Sequence, residues 1–165
     1  MLIKYTGKDK VSKRKIKYLE DLLNYTCEKF FTQRLRDKLE FNIIFKKNLL
    51  KKEGVLADCI WEDQHYRPRE FTIRFEQDQP TRTLVNSMAH ELVHVKQWAK
   101  GEMWQVQTKK RTHRYNSKEY NCAKMDYWEY PWEIEAHGRA IGIVNMWVRD
   151  RQFSAKICDE FCSLG

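Results

Sequence analysis

The chain is poor in residues that break secondary structure, with three prolines and six glycines in 165 residues and no Gly-, Ser- or Pro-rich stretch. That scarcity excludes a flexible linker and predicts one domain over residues 1–165, long enough to bury a core. No apolar run approaches the ~18 residues of a membrane-spanning helix. The opening Met1-Leu2-Ile3-Lys4-Tyr5-Thr6-Gly7-Lys8 has no signal-peptide apolar region. The expectation is a chain with no membrane partner that stays in the cytoplasm of the cell that makes it. The five cysteines, at 27, 59, 122, 158 and 162, include no Cys-x-x-Cys pair. A zinc ribbon and a thioredoxin-type motif are thereby excluded, and reduced structural thiols are expected. No internal repeat or low-complexity tract occurs.

What remains is a globular composition, 42% apolar and 13% aromatic, with 31 Lys and Arg against 23 Asp and Glu for a net charge of +8. The excess clusters at residues 8–17, 46–52 and 109–118. A basic balance admits nucleic acid as a partner, although dispersed Lys on solvated faces produces the same count. Trp104, His113, Arg114 and Tyr115, near the third cluster, are the residues that would stack on bases.

Apolar spacing predicts the elements. Residues 13–39 read as a long amphipathic helix with Ile16, Leu19, Leu23 and Phe30 facing inward. Residues 40–46, 55–61 and 70–75 read as strands; Phe41, Ile43 and Phe45 share one face, as do Phe71, Ile73 and Phe75. Residues 81–100 contain no Pro or Gly and repeat Leu84/Val85, Met88, Leu92, Val95 and Ala99 at helical spacing, with Gly101 as a stop. Residues 102–130 form a long, weakly patterned loop with room for a short hairpin. Pro131 suits the first position of a helix over residues 132–149, and a last short helix follows at 153–162. The fold class is α+β: long N-terminal helix, small mixed sheet, central helix and C-terminal helix.

The central helix carries His90-Glu91-Leu92-Val93-His94. Residues four apart share a helix face, so His90 and His94 can turn both imidazoles to one Zn²⁺. Glu91 is rotated by about 100° from His90, which suits its carboxylate to taking a proton from water on the metal. The apolar residues inside the motif imply a buried helix, where two unpaired histidines would be costly. The chemistry is that of peptide-bond hydrolysis by a metalloprotease, with a protein or peptide as substrate.

A catalytic zinc needs a third protein ligand. Downstream stands Pro131-Trp132-Glu133-Ile134-Glu135-Ala136-His137-Gly138. Glu133, Ala136, His137, Ala140 and Val144 fall on one helix face, whose small residues allow close approach to the His90–His94 helix. Glu135 points elsewhere and has Arg139 one turn on, as a surface ion pair would. Glu133 is favoured over Glu135, with His137 placed to orient a ligand. His113 is the rival ligand. Tyr120, Tyr127, Tyr130 and His113 are candidates to donate to a developing oxyanion, while Trp98, Trp104, Trp128 and Trp132 read as packing.

Three blocks carry a family resemblance: residues 67–73 (Arg-Pro-Arg-Glu-Phe-Thr-Ile), residues 88–102 around the HExxH motif, and residues 130–139. In this order, across roughly residues 40 to 150, they resemble the small zincin-type metallopeptidases of bacteriophages, a group often labelled SprT-like. More distantly the pattern is similar to the minimal gluzincins, including ImmA/IrrE-type proteases, a comparison that places the third ligand at Glu133. The resemblance implies a zincin-like fold, zinc, hydrolysis inside a bacterial host, and substrate added as an extended strand along Phe71 to Phe75. The chain lacks the third-histidine element and Cys-rich ribbon of SprT-like proteases, so a role on DNA–protein crosslinks is not carried over. The competing expectation is a zincin-fold DNA- or protein-binding module with structural zinc and no proteolysis.

Overall fold

A computed structural model describes residues 1–63 and 66–153. The first strand, β1 (Leu2–Thr6), leads into α1 (Lys13–Phe30), whose Ser12 cap accepts from the Lys15 amide at 3.3 Å. The helix expected to run to residue 39 stops nine residues earlier. Leu39 leads directly into a strand, and nine more helical residues would carry the chain roughly 13 Å farther along the helix axis. Phe31 instead takes an extended conformation (φ −128°, ψ 145°) and is buried. A short helix, α2 (Gln33–Arg36), then brings buried Leu39 to the start of β2 (Glu40–Lys46).

After α3 (Leu49–Glu53) come β3 (Ala57–Trp61), β4 (Glu70–Glu76) and α4 (Thr81–Lys100). The four strands form one mixed sheet in the order β1-β2-β4-β3, parallel except for antiparallel β3. Phe41, Ile43 and Phe45 register with Phe71, Ile73 and Phe75, the expected trios facing one core. The Phe41–Phe71 and Phe45–Phe75 rings stack at 6.2 and 5.9 Å. The expectation that Phe71 to Phe75 is an edge is corrected: β4 is paired on both sides, and among the described residues the open edges are β1 and β3. On β3, Trp61 stacks on Trp98 of α4 at 3.8 Å, fixing this edge beside the central helix.

Helix α4 starts and stops where its pattern predicts. Gly101 adopts φ 71°, a left-handed cap that L side chains rarely take, and a Cβ there would meet Arg67 Nε at 2.9 Å. Arg69 donates to the Ala99 carbonyl at 2.7 Å, placing a cation at the negative end of the helix. The segment expected as loop folds into a second, antiparallel sheet of β5 (Met103–Gln105), β6 (Thr112–Tyr115) and β7 (Lys118–Asn121), followed by two 3₁₀ turns. Asn116 and Ser117 both have positive φ, the tight turn that a right-twisted hairpin favours. Helix α5 (Pro131–Asp150) closes the described fold against α4, with Ala136 and Ala140 buried between them. The short helix expected at 153–162 falls almost wholly outside the described residues, as do Cys158 and Cys162. No helix among the described residues is long and apolar enough to cross a membrane.

Candidate metal centre

His90 and His94 stand one turn apart on α4, and Glu133 enters from the first turn of α5. Their donor atoms form a triangle: Nε2 to Nε2 is 3.0 Å, and Glu133 Oε2 lies 3.4 Å from His90 and 3.5 Å from His94. Donors held about 2.0–2.2 Å from a tetrahedral ion stand roughly 3.3–3.6 Å apart, so the three atoms fit one ion with an adjustment of a few tenths of an ångström. Among the described residues this is the group of three that could hold a metal. Two imidazoles and a carboxylate suit zinc and also other divalent first-row metals.

Hydrogen bonds fix which ring nitrogen faces the triangle. Gln97, fully buried one turn beyond His94, donates its amide to Trp132 O at 3.0 Å and Glu135 Oε2 at 2.9 Å. Its oxygen therefore faces His94 Nδ1, 2.8 Å away, which must be the protonated nitrogen. Nε2 of His94 is then the nitrogen that faces Glu133 and His90, and the atom at which a metal would replace a proton. The sequence reading missed Gln97, because an amide on a helix face has no meaning until its partners are known. Gln97→Ala should weaken zinc binding by about 10–100-fold, the usual effect of losing an orienting partner. Competition titration against a zinc chelator measures it, and an unchanged affinity would show that Gln97 does not orient the ring.

Electrostatics tie the three residues together. Burial works against a charged His94 ring, yet its hydrogen bond to Glu133 and the charges of Glu91 and Glu133 push it up to about 9. Burial would raise Glu133, but hydrogen bonds from His90 and His94 hold its carboxyl far below the usual carboxylate range. Protons and cations thus compete for the same atoms. Glu91 is buried at the next position on α4; burial, reinforced by Glu133 and Asp58 and opposed by His94, pushes its carboxyl up to about 7.

The other expected residues sort clearly. Glu135 lies outside the triangle and accepts from Lys96 (2.8 Å), Gln97 (2.9 Å), Tyr115 (2.6 Å) and Arg139 (2.6 Å). The Arg139 pair was foreseen as a surface contact, but the carboxylate is a hub joining α4, β6 and α5. His137 does not bond a ligand residue. It is exposed, with its ring 4.4 Å from that of His90 and its Nε2 3.4 Å from Tyr127 Oη. His113 is likewise not in the triangle and sits 3.2 Å from Cys122 Sγ. Among the oxyanion candidates, Tyr127 donates to Glu133 Oε2 at 2.7 Å, whereas Tyr130 donates to the Cys122 carbonyl. Trp98 and Trp132 are buried and Trp104 half-buried, as packing residues should be. Trp128 is 67% exposed beside His137, contrary to its reading as packing.

The residues proposed to stack on bases are already engaged. Trp104 lies against Tyr66 and under Arg114, and the Tyr115 hydroxyl is spent on Glu135. No protein family, curated protein or solved structure matches this chain.

Proposed function

We propose that the chain is a zinc-dependent metallopeptidase of zincin-like fold, in which His90, His94 and Glu133 hold the metal and Glu91 is the general base. The observation that carries this reading is the triangle of donor atoms with a buried carboxylate at the next helix position. A purely structural metal has no use for that carboxylate. The helix pair, with a mixed sheet whose antiparallel edge lies beside α4, supports the zincin-like assignment.

When bound, zinc polarises a carbonyl and lowers the pKa of water at the site to roughly 7. Glu91, titrating at about 7, accepts a proton from the attacking water and delivers it to the leaving amine. Tyr127 is the hydroxyl donor nearest the ligands; burial and Glu133 raise its phenol, so it keeps its one proton, which would have to swing from Glu133 Oε2 to stabilise a developing oxyanion. The Gln97–Glu135 pair holds His94 in the required tautomer. An extended substrate would add to the free edge of β3.

The test is elemental mass spectrometry on the purified chain together with digestion of a peptide mixture. About one zinc per chain is expected, with hydrolysis lost to a chelator and regained when zinc is returned. A chain that contains no zinc and takes none up would overturn the proposal.

A further inference from the structure

A cavity of about 820 Å³ adjoins the metal ligands, its lining running from Trp132 and Glu133 to Lys109, Lys110 and Arg111 in the turn between β5 and β6. That volume is in the range of sites that enclose a ligand. Glu133 is the one carboxylate on the lining, and it is committed to His90 and His94. Lys109 is paired with Glu119, whereas Lys110 and Arg111 have no acidic partner among the described residues. Met103, Tyr130 and Trp132 supply apolar surface in the same cavity.

We propose that this cavity is a specificity pocket for an acidic side chain of the substrate, carried close to the bond that is cut. The position of the cut rests on the peptidase reading; the binding rests on the cavity alone. A glutamate offers an aliphatic stem to the aromatic wall and a carboxylate to Lys110 and Arg111, whose guanidinium can grip both oxygens. A nucleic acid fits less well, because the aromatic faces it would stack on are occupied. Tyr130 and Trp132 stack on each other at 4.8 Å, and Trp104 lies under Arg114.

The test uses the full chain carrying Glu91→Gln, which binds substrate without cutting it. Labelled peptides that differ only in Glu, Gln or Lys at one central position are titrated by fluorescence anisotropy, with a single-stranded DNA oligonucleotide as competitor. The Glu peptide should bind about tenfold more tightly than the Gln peptide, and adding Lys110→Glu with Arg111→Glu should reverse the order in favour of Lys. Lys110→Gln with Arg111→Gln should erase the preference without reversing it, which a general disturbance of the fold would not do. Equal binding of all three peptides overturns the inference, as does DNA displacing them at lower concentration than competing peptide. Digestion of a peptide mixture by the wild-type chain separates the two readings. Cuts clustered beside Glu or Asp support the pocket, and cuts with no acidic preference overturn it while leaving the peptidase intact. Acidic-peptide binding without any cutting supports the pocket and removes the peptidase.

Discussion

Replacing Glu91 by Gln should lower peptide hydrolysis by about 10³-fold or more while zinc content and fold stay as they are. The size of the loss follows from what the amide cannot do, since it neither accepts the proton from water nor returns it to the amine. Its harmlessness to the fold follows from burial. Glu91 is 6% exposed and its carboxyl is pushed up to about 7, so the protonated acid, close in shape to Gln, is already tolerated there. Stability should change by no more than about 1 kcal/mol. Parallel measurements of turnover, zinc content and thermal midpoint give the answer. Unchanged turnover would remove Glu91 from the mechanism, and loss of zinc would make it a ligand.

The second large effect distinguishes two glutamates that stand two residues apart. Glu133→Ala removes one corner of the triangle, so zinc affinity should fall by more than the ~100-fold seen for orienting partners, and dialysed protein should come out nearly free of zinc. Glu135→Ala should keep its zinc through dialysis, its affinity falling by less than that of Gln97→Ala because the Trp132 carbonyl still holds Gln97, and should lose stability instead. Lys96, almost fully buried, would retain only Glu102 at 2.7 Å, Tyr115 would lose its acceptor, and Gln97 would keep only the Trp132 carbonyl. A cost of about 2–4 kcal/mol is expected in urea unfolding. The effect has a pH signature. Burial alone would raise Glu135, but donation from Lys96, Tyr115 and Gln97 holds it at about 2. A depressed native pKa contributes stability above the unfolded value of roughly 4.3, lost as pH falls toward 2. The wild type should therefore lose its advantage over Glu135→Ala between those values. Zinc retained by Glu133→Ala and lost by Glu135→Ala would exchange the two roles.

How much of this was legible depended on whether each signal is local. Helix α4 could be placed to the residue, because an unbroken helical period ends at Gly101. The Phe41 and Phe71 trios were equally plain from alternation. The end of α1 was not, since apolar spacing continues past Phe30 to Leu35 and the break at Phe31 answers to where the next strand lies. β1 is a half-exposed edge with little apolar signal, and β5 to β7 are three or four residues long, joined at Asn116-Ser117 without a glycine. Helix faces are enough to send Glu133 and Glu135 to different surroundings. They could not reveal that Glu135 serves Gln97, or that β3 covers β4, because both depend on segments brought together only by folding.

The Glu135 hub has a bearing on the order of events in the cell. It binds α4, α5 and β6 to one another with protein groups alone, so the walls around His90, His94 and Glu133 are held by contacts that need no ion. Small zinc domains that lack such contacts acquire structure and metal in a single step. Under the proposed function, metal would therefore arrive late, at a frame that Glu135 has already drawn together.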